Sequence, residues 1–287
     1  MHIILGATGH VGSALAQALL ARNEPVTVVT RDTGKTGALR NKGAHVAQVD
    51  VFDTPALHRV LQGGQRIFVL NPPAAPSTDT VAEEKRSLHA IVAALEGCRP
   101  EKIVAESTYG AQPGDGIGDL GVLHEMEQAL QAVPAPLSVI RAAYYMSNWD
   151  ASLKTAREEG KVHTMYPPDF TLPMVAPHDL GEFAARLMLG PAESSGLYFV
   201  EGPARYSSAD VAAAFAEALG RPVEAVQTPQ AQWVAAFEAL GFSQAAARSY
   251  AAMTRLTLEA KDEPERPERG AISLRDYITA LVRKSSA

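Results

Sequence analysis

The sequence predicts an α/β fold: a Rossmann-like, doubly wound parallel sheet joined to a smaller, mostly helical C-terminal lobe. Three observations carry this expectation. Short apolar runs alternate with helical stretches from the first residue onward. The first run leads straight into three glycines and a helix. Past residue 150 helical stretches predominate.

The first element sets the pattern. Residues 3–5 read as a buried strand, and residues 13–22 as a helix. Between them lies Gly6-Ala7-Thr8-Gly9-His10-Val11-Gly12. Gly6 permits a tight turn, Gly9 removes a Cβ where phosphates approach, and Gly12 lets helix and strand pack closely. The helix N-terminus adds unpaired N–H groups and the positive end of its dipole. Strand, glycine turn and helix in this order are how a Rossmann fold holds a dinucleotide pyrophosphate. The spacing is Gly-x-x-Gly-x-x-Gly rather than the commoner Gly-x-Gly-x-x-Gly, so the position after the first strand carries the argument. An ordinary glycine-rich turn is the plain alternative.

A second strand, residues 25–30, completes a βαβ unit with its right-handed crossover. Arg31 and Asp32 follow it, with Lys35 and Arg40 nearby. Arginine here suits the 2′-phosphate of NADP, whereas an acidic residue suits the ribose of NAD. NADP(H) held by Arg31 is the expectation, with NAD(H) on Asp32 the less favoured alternative. The third strand, residues 45–49, ends at Asp50 and Val51, beside the adenine. Asp53 is suited to cap a helix over residues 54–61. The fourth strand, residues 67–70, ends in Asn71-Pro72-Pro73, a stiff loop expected to border the cofactor. A helix over 81–95 and a fifth strand over 103–106 lead to Ser107, Thr108 and Tyr109. All these strand ends deliver loops to one edge, where open α/β sheets bind ligands.

A glycine-rich loop spans residues 110–121, and a helix is expected over 123–132. Met126, Ala129, Leu130 and Val133 form its apolar stripe, with His124, Gln128 and Gln131 opposite. A sixth strand begins at Leu137 and ends at Arg141. Tyr144, Tyr145, Asn148 and Trp149 lie just beyond it, either lining a substrate pocket or packing between lobes. A helix follows over 151–159, then an irregular segment over 160–169. Asp179 is expected to cap a helix over 180–189. A strand over 196–201 leads to a helix over 211–219 capped by Ser207 or Ser208. Helices over 230–240, 244–258 and 274–283 complete the chain, with the charged, two-proline stretch 259–269 read as a surface loop. The expected division is a nucleotide-binding domain over 1–150, to which 172–202 returns, and a substrate lobe over 151–287.

Composition narrows the function classes. Lys and Arg number 26 against 32 Asp and Glu, a formal net charge of −6, which argues against a nucleic-acid partner. Cys98 is the one cysteine, so no internal disulfide forms, and no metal-ligand spacing is present. No apolar run reaches the length of a membrane span, and the N-terminus has no signal-peptide pattern. The expectation is a cytoplasmic protein acting on a small molecule, without a membrane partner.

Several segments together resemble the NmrA-like family, an atypical branch of the short-chain dehydrogenase/reductase superfamily. They are the glycine motif, Arg31, Asn71-Pro72-Pro73, Ser107-Thr108-Tyr109-Gly110, and Leu123-His124-Glu125-Met126-Glu127 with Leu130. Ile140-Arg141-Ala142-Ala143-Tyr144-Tyr145-Met146-Ser147-Asn148 and Pro177-His178-Asp179-Leu180-Gly181 with Ala184-Ala185 complete the set. The likeness runs from residue 1 to about residue 229. It implies NADP(H) or NAD(H) at the glycine motif. It also implies one of two activities: reduction of a quinone or similar carbonyl acceptor, or redox sensing without turnover. Reduction is the favoured expectation. Ordinary members of the superfamily use a Tyr-x-x-x-Lys pair, and no tyrosine here has lysine four residues on. Aligned on the helix of the Leu123 motif, His124 takes the lysine position and Leu120 the tyrosine position. His124 is therefore the first candidate acid, with Tyr109, Tyr144 and Tyr145 as further donors. Ser107 and Thr108 are expected to orient the nicotinamide or the substrate. Asn148 and Trp149 join the three tyrosines as candidate substrate contacts.

Overall fold

A computed structural model of the chain describes residues 1–260 and 264–285. The first half alternates strictly: β1 (His2–Ile4), α1 (His10–Leu20), β2 (Val26–Thr30), a 3₁₀ turn (Thr33–Thr36), α2 (Gly37–Asn41) and β3 (His45–Gln48). Then come α3 (Thr54–Gln62), β4 (Arg66–Val69), α4 (Thr80–Leu95), β5 (Lys102–Thr108), α5 (Asp119–Gln131) and β6 (Leu137–Ala142). The second half holds β7 (Tyr144–Tyr145), α6 (Ser152–Glu158), β8 (Lys161–Thr164), β9 (Leu172–Val175), α7 (Pro177–Leu189) and β10 (Gly196–Glu201). It closes with β11 (Arg205–Tyr206), α8 (Ser208–Leu219), β12 (Glu224–Gln227), α9 (Trp233–Ala239), α10 (Gln244–Glu259), β13 (Glu268–Arg269) and α11 (Leu274–Lys284).

Eight strands form one parallel sheet in the order β13-β10-β6-β5-β4-β1-β2-β3. From β1 the chain winds outward to β3, then crosses to the other side of β1 and continues from β4. The order therefore reverses between β1 and β4, and the crevice at their carboxyl ends is where such sheets bind ligands. One face carries α1 and α7, whose Val11, Leu15, Leu19, Leu180, Phe183 and Met188 pack with Ile4, Val28 and Phe68. The other face carries α3, α4 and α5 through Leu57, Leu61, Leu88, Ile91 and Met126. Each fully buried Leu or Ile contributes about 1.5–3 kcal/mol by leaving water. The α1–α7 crossing is close because Gly181 has no side chain: a Cβ there would stand 2.5 Å from the Ala14 Cβ. A third core joins Met146, Trp149, Tyr166, Phe215, Leu274 and Ile278 over the carboxyl edge. No helix among the described residues is long and apolar enough to cross a membrane.

Several expectations hold in detail. Asp53 caps α3 by accepting from the Ala56 N–H at 3.0 Å. Ser207 rather than Ser208 caps α8, in a capping box with Asp210. Others need correction. Helix α5 begins at Asp119, four residues ahead of the expected 123, out of a Gly118 turn with φ +56°. Asp179 does not cap α7, which starts at Pro177 in the position proline favours. Its carboxylate instead accepts from the Ile272 N–H at 2.9 Å, tying α7 to the C-terminal segment. The segment 160–169 is not wholly irregular: β8 pairs in parallel with β12 as a separate two-stranded sheet. Part of the stretch 259–269, residues 261–263, lies outside the described residues. Its end is not a free loop, because β13 joins the large sheet beside β10.

Candidate active site

The glycine turn is built by close backbone approach. Gly6 has φ +69°, in the left-handed region that glycine enters without strain. Gly9 N–H bonds the Gly6 carbonyl at 3.0 Å. A Cβ on Gly12 would stand 2.4 Å from that same oxygen. The first bond of α1 runs from Ser13 N–H to the Gly9 carbonyl at 3.1 Å, and Gly9 offers no side-chain cap. The N–H groups of His10, Val11 and Gly12 therefore precede the helical ladder, beside the exposed Gly9 and His10. Three such donors at the positive end of a helix dipole fit an anion such as a pyrophosphate. Ala7 and Val11 are buried in the core and Thr8 is half-buried, so the turn is anchored from below.

Arg31 is exposed just past β2, without an ion pair among the described residues. Asp32 is committed elsewhere: its carboxylate accepts from the Gly34 N–H at 2.9 Å and caps the 3₁₀ turn. Asp50, exposed, accepts from the Phe52 N–H at 3.0 Å, and Val51 packs on the core. The Arg86 guanidinium lies 4.2 Å over the Phe52 ring.

Asn71 is buried, and its amide is taken up by α4. It donates to the Glu84 carbonyl at 3.0 Å and accepts from Ser87 at 2.8 Å. The Glu84 carboxylate accepts from the Ala74 N–H at 2.9 Å. These bonds hold Pro72, half-buried, and Pro73, exposed, at the edge of the crevice.

The end of β5 is held by two charge networks. Ser107 donates to Glu127 at 2.5 Å, and Arg141 grips the same carboxylate with two bonds at 2.9 and 2.7 Å. Tyr109 donates to Glu201 at 2.8 Å. Glu201 is 0% exposed and also binds Arg269 at 2.7 Å and Arg205 at 3.4 Å. Burial and the Glu201 carboxylate push the Tyr109 phenol well above its usual range. Ser107 and Tyr109 are thus both held by buried carboxylates at the end of β5. Thr108 is half-buried, paired in register with Ala142.

His124 lies in the second turn of α5, since that helix starts early. It is half-buried, and its Nδ1 is sealed from solvent without a hydrogen-bond partner among the described residues. Leu120, one turn before, is buried. Tyr144 packs against Trp149 and Tyr166 and is reached by the Asn148 side chain. Burial raises its phenol too, which makes it a weak acid. Trp149 is buried in the third core and its indole N–H has no partner among the described residues. Tyr145 donates to Glu106 at 2.5 Å.

Sequence reasoning missed the acids of this edge. Glu106 is 4% exposed, and burial raises it to about 7 against the pull of the Tyr145 bond. Glu84 is 5% exposed, and burial, with Asp119 beside it, raises it to about 8. Asp119 is raised as well, chiefly by burial. A glutamate directly after the apolar run Ile103-Val104-Ala105 was the available signal for Glu106.

The raised acids set a pH dependence. Between about 4.5 and about 8 the folded chain holds a proton on Glu84 that the unfolded chain has released. Folding stability therefore falls as pH rises through that window, and levels off above it. Glu84→Gln removes the term: its stability is expected to fall less steeply, by about 1 kcal/mol per pH unit. Urea denaturation of both proteins from about pH 5 to about pH 9 checks this; parallel curves refute it.

Known proteins resemble this chain in sequence and in fold. An NAD(P)H azoreductase from Xenophilus azovorans is 25% identical over 247 residues, 86% of this chain and 84% of that protein. Quinone oxidoreductase 2 of Escherichia coli strain K12 is 23% identical over 244 residues, 84% of this chain and 82% of that protein. Among solved structures, the Citrobacter sp. triphenylmethane reductase complexed with NADP(H) superposes with a TM-score of 0.80. It is 17% identical, with 98% of this chain and 99% of that chain covered, so it speaks for the fold alone. The NmrA-like family model matches residues 2–264, and the chain belongs to the NmrA-like family.

Proposed function

We propose that the protein is an NAD(P)H-dependent oxidoreductase that reduces a small aromatic acceptor, a quinone or an azo compound. The observation that carries the reading is the fan of N–H donors at His10–Gly12 above the β1/β4 crevice, ahead of the α1 ladder. The activities named for the two relatives support the same class.

Residues 6–12 would cradle the pyrophosphate, with Asp50 and Val51 beside the adenine. Arg31 would pair the 2′-phosphate of NADP(H), because the Asp32 carboxylate is already committed to Gly34. NAD(H) is the weaker candidate for that reason. Pro72 and Pro73, held by Asn71, would border the nicotinamide half, with Thr108 and His124 across from them. When bound, the reduced cofactor supplies a hydride equivalent. The chain's own contribution is orientation and exclusion of water. In this reading residues 1–150 with 172–202 carry the cofactor. The remainder of 151–287 closes over the acceptor, except β13, which adds to the sheet. Tyr144, Tyr145, Asn148 and Trp149 stand at the seam.

Absorbance of NADPH, followed with a panel of quinones and azo dyes, tests the reading. Oxidation with at least one acceptor is expected. Tight NADPH binding with no oxidation across the panel would leave a redox sensor instead. Arg31→Ala is expected to weaken NADPH about tenfold, roughly 1.4 kcal/mol, and to leave NADH unchanged. Equal loss for both cofactors sinks the NADP assignment.

A further inference from the structure

We propose that the α9–α10 hairpin is a strap across the β4–β5 part of the carboxyl edge, and that Ser243 and Met253, which pin it there, set how large an acceptor enters. The proposal rests on the reductase reading above and adds the determinant of acceptor size.

The hairpin crosses from one half of the molecule to the other. Its two feet stand in the C-terminal lobe. Trp233, at the start of α9, is buried, and its indole N–H donates to the Thr228 carbonyl at 2.9 Å. The Thr228 N–H in turn bonds the Thr164 carbonyl at 2.8 Å, at the end of the β8–β12 pair. Leu258, near the end of α10, packs on the third core. Between the two helices Gly241 turns the chain at φ +90°. The Phe237, Phe242 and Tyr250 rings close on one another there, with centroids 5.3, 5.8 and 4.9 Å apart. The hairpin thus carries its own aromatic cluster and holds together as a unit.

From these feet α10 reaches the nucleotide-binding half at two points. Ser243 donates its backbone N–H to the Pro76 carbonyl at 2.9 Å and its hydroxyl to the Thr78 carbonyl at 2.6 Å. Both carbonyls belong to the loop after β4, just past Asn71-Pro72-Pro73. The same hydroxyl accepts from the Ala246 N–H at 3.1 Å and so caps α10. Met253 meets the loop after β5. Its Sδ lies 2.7 Å from where a Cβ on Gly118 would stand, so the thioether fills a notch that only glycine leaves open. Ser243 and Met253 are about 15 Å apart along a helix. Helix α10 therefore spans the loops that leave β4 and β5 at the carboxyl edge, and it packs on α4 as well. These are the strand ends to which the reductase reading assigns Pro72, Pro73 and Thr108 beside the nicotinamide.

Little else holds the strap down. The buried residues of α10 are Ala246, Ala247, Ser249 and Thr254, small side chains that remove little apolar area from water. Neither these nor Trp233 are among the buried residues of the three cores. An element with so few apolar contacts opens at far lower cost than the fold as a whole, as lids over binding sites do. A flat acceptor of two rings passes beside the closed strap. A long one enters only when Ser243 leaves Thr78 and Met253 leaves its notch, and that opening limits its turnover.

The test uses the whole chain with NADPH and two probes, menadione and the long bis-azo dye Congo red. Ser243→Ala removes one pin and the helix cap, and Met253→Ala empties the notch. Each is expected to raise kcat/KM for Congo red about tenfold and to change that for menadione by less than about twofold. Ser243→Thr keeps the hydroxyl and should keep the parental ratio between the probes, whereas a role confined to fold stability would move both acceptors together. Hydrogen exchange read by mass spectrometry needs no turnover: amides of α10 should exchange at least about tenfold faster than those of α4, and faster still in Ser243→Ala. Congo red reduction that is unchanged or slower in the loosened variants, equal changes with both probes, or α10 amides as protected as those of α4 overturns the strap. A parent that binds NADPH and reduces neither probe overturns the reductase reading itself, and exchange in α10 with and without the Ser243 hydroxyl then still tests the strap.

Discussion

Replacing Gly12 with valine is expected to abolish tight dinucleotide binding and to lower Tm by about 5–10 °C. The Cβ would stand 2.4 Å from the Gly6 oxygen, 2.7 Å from its carbonyl carbon and 2.9 Å from the Ala7 Cα. All three are backbone atoms of the turn, so none can swing aside as a side-chain tip does. Relief requires α1 to move off the end of β1. That opens the α1–α7 packing and turns the first-turn N–H groups away from a common point. Overpacking of this kind costs about 3 kcal/mol or more. Gly9→Ala separates the two effects. Its Cβ would meet the Gly6 oxygen at 3.3 Å and little else, on an exposed turn. Its Tm is expected to stay within about 2 °C of the parent, with NADPH affinity about tenfold weaker from intrusion at the phosphates. Calorimetric unfolding together with NADPH titration of the two variants decides the point. Gly12→Val with parental Tm and affinity would show that the turn is no close-fitting cradle.

That turn was legible because its constraints are local. A glycine at positive φ, a strand before it and a helix after it all lie within residues 2–20. The same holds for Asp53 and Ser207, whose caps reach only three residues. The start of α5 was hidden for the complementary reason. Gly118 offers no side chain to cap the helix, and residues 110–118 are rich in glycine, so nothing local marks Asp119 as helical. That four-residue shift moved His124 from a first-turn surface position to a half-buried one in the second turn. Strands β8 and β12 escaped notice because each is four residues long and partly exposed, without a full apolar stripe.

The acids of the site were illegible for a different reason. Spacing along a chain assigns Glu and Asp to solvent, since charged groups are seldom buried unless paired. Their partners here come from far away in sequence. Glu201 meets Arg269 across 68 residues, and Asp179 meets Ile272 across 93. Glu84 and Asp119 have each other instead of a cation, a pairing visible only once α4 and the start of α5 lie side by side. Arg31 was legible as exposed and basic. That the Asp32 carboxylate turns to Gly34 required the structure.

The second large effect is expected at Glu127, which no motif singled out for a role. Glu127→Ala should destabilise the fold by about 3–5 kcal/mol, the usual loss when one member of a buried ion pair is removed. The Arg141 side chain is only 18% exposed, so it cannot rehydrate without moving its strand. Ser107, itself buried, loses at the same time the one side-chain acceptor it has among the described residues. These losses fall on β5 and β6, the strands that deliver Thr108, Tyr109, Tyr144 and Tyr145 to the crevice. On the proposed function, reduction should weaken through KM as well as kcat, because the residues proposed to face the acceptor lose their registration. Ser107→Ala alone removes one hydrogen bond and is expected to cost about 1 kcal/mol. The double variant Glu127→Met with Arg141→Met removes both charges and keeps most of the volume. It is expected to recover most of the stability lost in Glu127→Ala, since no buried charge is left unpaired. Denaturant unfolding of Glu127→Met, Arg141→Met and the double closes a mutant cycle whose coupling should exceed about 1 kcal/mol. Purely additive losses would mean that the Glu127–Arg141 pair contributes no net stability. The end of β5 would then owe its position to the sheet register alone.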